Sequence, residues 1–179
     1  CHMARRDSRE AMTILEGQDM SRQWAGLLGG LILAWQAAPA LPANDLPPAA
    51  DLRADALQAA KLGGPLIVIY SRQDCKYCER VKRDYLKPLV TNPRYRDRVV
   101  IRQINQDGDN QAVTDFNGII TTHAAVSSAE TIKLVPVVAF YGPNGRKLAE
   151  PIVGARLPDF YQTYLEDAVE QSSRALKAP

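Results

Sequence analysis

Beyond residue 50 the apolar positions alternate between a helical period and short unbroken runs. DLRADALQAAKLGG (51–64) sets Leu52, Ala56, Leu57 and Ala60 on one side of a predicted helix. Asp51 can cap its start and Gly63-Gly64 can end it. PLIVIYS (65–71) is almost wholly apolar and β-branched, the pattern of a strand covered on both faces. A second helical pattern follows, with Cys78, Val81, Tyr85 and Leu89 in phase and Leu86 beside them. Pro88 should kink or end it. VVIRQINQD (99–107) reads as a strand, with Val99, Ile101 and Gln103 on one face, and DGDN (107–110) as a turn. Residues 111–120 are ambiguous. TTHAAVSSAETIKL (121–134) predicts a helix capped by Thr121 or Thr122, with His123 on its surface. VPVVAFYG (135–142) and KLAEPIVGA (147–155) predict two strands joined by the turn GPNGRK, and Pro151 suggests an edge strand. A final helix carries Leu157, Phe160, Tyr161, Tyr164, Leu165, Ala168 and Val169 on one side. The order helix–strand–helix–strand–helix–strand–strand–helix predicts an α/β protein, a three-layer α/β/α sandwich around a four-stranded mixed sheet.

Upstream the pattern differs. Residues 1–19 are polar and mixed in charge, and the opening Cys-His-Met reads as a cloning remnant. From Met20, Arg22 supplies a short positive region and Trp24 to Trp35 an apolar one. Ala38-Pro39-Ala40 offers a small-residue cleavage site. Residues 20–43 therefore read as a secretory signal peptide or an uncleaved N-terminal anchor, and the expected location is the periplasm. Residues 44–50 read as a Pro/Ala-rich linker, and 51–175 as the folded domain.

Composition removes some classes of function. With 22 basic and 20 acidic residues dispersed along 179, net charge is +2 and no basic block marks a nucleic-acid surface. A chain 46% hydrophobic can build a core without disulfide staples.

The chemistry concentrates in SRQDCKYCER (71–80), which holds two of the three cysteines, Cys75 and Cys78. A zinc site needs about four ligands. The only histidines are His2 and His123, and no second cysteine pair exists. Two buried structural thiols fit poorly with flanking Arg72, Gln73, Asp74, Lys76, Glu79 and Arg80. A redox pair fits the placement. Cys75 follows a buried strand and opens a helix, where free N–H groups favour a thiolate, and Lys76 adds positive charge. Cys78 lies one turn on, close enough to bridge. Cys75 is expected to attack and Cys78 to resolve the mixed disulfide. Asp74 has two readings, a cap for the first turn or a negative charge opposing Lys76; the cap is the expectation. Tyr77 should form a substrate-facing wall. The disulfide itself serves as the redox group, with no further cofactor or metal.

PLIVIYSRQDCKYC and KLVPVVAFYGPNGRKLAEPIVGA together resemble the thioredoxin-fold family over about residues 51–173. The resemblance implies a cis peptide bond at Pro136, facing the cysteine pair, and a substrate strand docking against Val135. Within the family, CKYCE, DFNG (115–118) and the strand–NG–strand hairpin resemble periplasmic proteins of the SoxW type. Three departures point to a narrower substrate set than that of a general thioredoxin. Asp74 replaces the usual tryptophan, Ile69 stands where cytosolic thioredoxins bury an acid, and Val135 replaces threonine.

Three functions follow as expectations. The first is an exported thiol–disulfide oxidoreductase that reduces or exchanges disulfides in protein substrates. It would be fed by a membrane electron donor and work as a monomer without nucleic-acid partners. The others are a non-catalytic thioredoxin-fold adaptor stapled by the same cysteines, and a Cu(I) chaperone using them as soft ligands.

Overall fold

The structure, a computed structural model, describes residues 46–155 and 158–178. The polar segment 1–19, the export segment 20–43, residues 44–45 and Leu157 lie outside them. Among the described residues no helix is long and apolar enough to cross a membrane.

A sheet in the order β2-β1-β5-β6 forms the middle layer. Strand β1 (Leu66–Ser71) pairs in parallel with β2 (Val100–Asn105) and antiparallel with β5 (Val137–Tyr141). Strand β6 (Lys147–Val153) pairs antiparallel with β5. All six residues of β1 are buried because both faces of the sheet are covered. Alternation sorts the side chains into two cores. Ile67, Ile69, Ile101, Val138 and Phe140 face α2 (Lys76–Val81), α3 (Lys87–Thr91) and α5 (Pro158–Lys177). Leu66, Val68, Tyr70, Val137 and Ala139 face α1 (Leu52–Lys61) and α4 (His123–Ala129). The expected three-layer sandwich with a mixed four-stranded sheet is the observed fold.

Local chemistry explains the helix ends. Asp51 Oδ1 accepts from the Ala54 N–H at 2.8 Å, which fixes the start of α1. Leu52, Ala56 and Ala59 are buried there, whereas Leu57 is 44% exposed. Arg102 of β2 grips Asp55 of α1 through two bonds of 2.9 and 2.6 Å. Pro88 acts before its own position: Lys82–Leu86 forms a π turn, closed by the Lys87 N–H to the Lys82 carbonyl. Widening the helix there accommodates a residue that has no N–H and whose ring crowds the preceding turn. In α5 the inward residues are Tyr161, Leu165, Ala168 and Val169; Phe160 and Tyr164 are exposed. Tyr161 stacks on Tyr85 with ring centres 4.4 Å apart.

The structure resolves one ambiguous stretch and corrects two expectations. Residues 111–120 carry a small hairpin, β3 (Ala112–Thr114) with β4 (Ile120–Thr122). Its turn is organised by Asp115, whose Oδ1 accepts from the N–H groups of Asn117 and Ile119, both at 2.8 Å. These bonds hold its carboxyl below the usual range. Next, α4 is capped by Thr122 as expected but ends at Ala129, short of residue 134. Finally, residues 46–50 are not a free linker. Leu46 and Ala49 are buried, the Ala49 N–H donates to the Gln103 carbonyl at 2.9 Å, and the Gln103 N–H donates to that of Pro47 at 2.9 Å.

His123 holds that segment in place. It is 1% exposed, not a surface residue. Its Nδ1 accepts from the Asn105 N–H at 3.1 Å, so Nε2 carries the proton and donates to the Ala49 carbonyl at 2.8 Å. His123→Ala would leave a buried donor and a buried acceptor unpaired, each costing about 1–3 kcal/mol. Urea denaturation should show a loss of about 2–3 kcal/mol. Hydrogen exchange at the Ala49 and Gln103 amides should accelerate more than in β5.

Candidate active site

The segment linking β1 to α2 carries both expected cysteines, and they form a disulfide with Cα atoms 5.2 Å apart. Their environments differ. Cys78 is wholly buried, while Cys75 retains 8% exposure. Cys75 is itself the N-cap of α2: its backbone is extended, and its Sγ accepts from the Cys78 N–H at 3.2 Å. Once the bond is reduced, that donor is aimed at the sulfur whose thiolate must form, and an N–H facing a thiolate favours it.

Asp74 therefore does not cap the helix. It sits one residue too early, exposed, with a left-handed φ of 56° that redirects the chain into Cys75. Lys76, the first helical residue, is exposed beside the disulfide. Tyr77 is 60% exposed, with the Arg80 guanidinium 5.8 Å from its ring centre. The loop is tied down from the other side, where the Gln73 N–H donates to Asp107 Oδ2 at 3.0 Å.

Val135 and Pro136 arrive from the opposite side of β1. Tyr70 pairs with Val137, so Pro136 lies beside Ser71, four residues ahead of Cys75. The Val135–Pro136 peptide bond is cis. The Pro136 carbonyl accepts from the Gly154 N–H at 2.8 Å, joining this segment to the end of β6.

Sequence reasoning missed a polar cleft of about 370 Å³ beside the disulfide loop, at the carboxyl ends of β1 and β2. Arg72, Asp74, Glu79, Lys82, Gln103 and Asp107 line it. Lys82 is 1% exposed, and its Nζ lies 2.6 Å from Glu79 Oε1. The signal was present in the helical phase: Lys82 falls four residues after Cys78, on the apolar stripe. Among the described residues no cluster of three or more His, Cys, Asp or Glu side chains could hold a metal ion.

Thioredoxin from Malassezia sympodialis is similar in structure, at 15% identity and a TM-score of 0.50 over 75% of this chain and 96% of its own. A thioredoxin-fold protein from Helicobacter pylori is 18% identical, covering 63% of this chain and 80% of its own at a TM-score of 0.46. The protein Trxlp from Edwardsiella tarda is 23% identical, covering 60% and 87% at 0.44. No curated protein matches the sequence. The sequence profile of the thioredoxin-like domain matches residues 52–169, from the start of α1 into α5. By that match, and by the fold that carries its cysteine pair, the chain belongs to the thioredoxin-like domain family.

Proposed function

We propose that the protein is an exported thiol–disulfide oxidoreductase that reduces or exchanges disulfides in other proteins. The observation that carries this reading is the asymmetry of the pair. Cys75 keeps a little solvent contact and Cys78 has none. In the reduced protein the Cys75 thiolate attacks a substrate disulfide, and one substrate sulfur leaves. Cys78 then attacks Cys75 Sγ, the second substrate sulfur leaves, and the Cys75–Cys78 bond reforms. The substrate gains two electrons and the protein loses two.

Exposed Tyr77 and half-buried Val135, next to Pro136, are the surfaces a substrate strand would meet. Lys76 adds positive charge near Cys75. The SoxW-like features of the motif support a reductant held reduced by a membrane donor, and the apolar stretch 24–35 supports export to the periplasm. The protein would act as a monomer. The adaptor reading uses the same cysteines as a staple, and the residual exposure of Cys75 weighs against it. A Cu(I) chaperone would be expected to place methionines by the pair, and Met3, Met12 and Met20 all precede the folded domain.

The reduction potential of the Cys75–Cys78 pair, equilibrated against glutathione buffers, tests the reading. The expected value is about −270 mV, near that of thioredoxin. A value near about −120 mV would make the protein a disulfide donor. Resistance below about −300 mV would make the bond a staple.

A further inference from the structure

A buried resolving thiol needs a route for its proton, and the sheet beneath Cys78 is unusual in where it places polar groups. On the α2-facing side of β1, position 69 is isoleucine, which can hold no proton. The polarity lies at neighbouring positions. Ile69 pairs in register with Gln103 of β2, and Ser71 pairs with Asn105. Alternation puts Gln103 and Ser71 on the same side as Ile69. Gln103 is 8% exposed and Ser71 1%. Among the described residues neither Gln103 Oε1 nor Ser71 Oγ has a hydrogen-bond partner.

Lys82, from the helix, lines the same cleft as Gln103. It follows Cys78 by one turn, and its N–H donates to the Cys78 carbonyl. Residues four apart share a helix face, so its side chain leaves from beside the thiol. Its side chain is only 2% exposed, yet Nζ reaches Glu79, whose side chain is 39% exposed and lines the cleft. Burying an ammonium is costly unless it is paired and hydrogen-bonded. This costly buried pair is built one helical turn after the second cysteine.

We infer that Lys82 and Glu79 carry the Cys78 proton out to the cleft when Cys78 resolves the mixed disulfide. The inference rests on the redox reading of the pair. The proton of Cys78 passes to the Glu79 carboxylate, which Lys82 holds in place across the 2.6 Å contact. Lys82 stays an ammonium, one helical turn from a thiolate that its charge stabilises. Glu79 passes the proton to solvent. Cys78 forms the bond to Cys75 Sγ, and the substrate sulfur leaves with the electron pair. The other charged groups facing the cleft are Arg72, Asp74 and Asp107. From α5, Tyr161 stacks on Tyr85, three residues after Lys82, and is kept protonated by burial. Lys82 and Glu79 act through Cys78 and need not touch substrate.

Reduced full-length protein mixed with a chromogenic aryl disulfide separates the two steps. Attack by Cys75 releases one coloured arylthiolate, and attack by Cys78 releases the second. Lys82→Met and Glu79→Gln are expected to keep the first phase. Their second phase should slow about tenfold at pH 7 and shift its rise about one unit to higher pH, the same free energy read twice. A second phase with the wild-type rate and pH profile in both folded variants would overturn the relay. If Lys82→Met fails to fold, Glu79→Gln decides alone, because its side chain sits at the cleft rim. Absence of the first phase in the wild type would overturn the redox reading and the relay together. A normal first phase with an unaltered second overturns the relay only.

Discussion

Cys78→Ser is expected to turn the protein from a catalyst into a trap. Cys75 would still attack a substrate disulfide, but the mixed disulfide could not be resolved from within, so substrate would stay bound through Cys75 Sγ. Cys75→Ser should form no adduct, since Cys78 is wholly buried. In both variants multi-turnover reduction of a protein disulfide should fall to the uncatalysed rate, because one thiol attacks and the other releases. Non-reducing electrophoresis followed by mass spectrometry checks the pair of variants and identifies the captured substrates. Equal adducts from both would mean that the exposure difference does not set the order of attack. No adduct from Cys78→Ser would leave the staple reading in its place.

Gly64→Ala is expected to cost about 3 kcal/mol or more, a large share of the stability of a typical domain. The end of α1 is a Schellman turn: the Gly64 N–H donates to the Ala59 carbonyl at 3.1 Å and the Gly63 N–H to that of Ala60 at 3.0 Å. Gly63 supplies the left-handed residue, with φ of 81° and open space around its α-carbon. Alanine there should cost only about 1–2 kcal/mol of backbone strain. Gly64 is needed for a different reason. A methyl group on it would run into the backbone carbonyl of Arg98, just ahead of β2. Backbone cannot rotate away as a side chain can, so β2 or the turn must move. Urea denaturation of the two oxidised variants separates the causes. Equal losses would show that the Arg98 segment yields easily.

Where local chemistry decides the structure, the sequence was readable. Asp51, Gly63 and Gly64 bound α1 through contacts within a few residues, and β-branched runs form the central strands because both faces are covered. The cysteine spacing, between a buried strand and a helix, was equally plain. What escaped depends on distant contacts. His123 looks like a surface residue from its helix, because its partners, Ala49 and Asn105, come from other parts of the chain. The β3–β4 hairpin has only three residues per strand, too few for alternation to register. Asp74 reads as the cap because aspartate is a common cap. The sulfur of Cys75 holds that position instead. Lys82 broke the apolar stripe, yet its pairing with Glu79 above Gln103 emerges only once α2 lies on the sheet.

The docking of residues 47–49 on Gln103 has a consequence for how copies of this protein meet. An outermost strand offers unpaired N–H and C=O groups to any passing chain, and β2 is outermost on one side. At Gln103 both of its outward backbone groups are already satisfied from within the same molecule. On the other flank Pro151 interrupts β6 with a residue that cannot donate. Loosening the 46–50 segment, as His123→Ala would do, therefore uncovers a template for strand addition. Self-association should then rise with concentration even while the disulfide and the core remain intact.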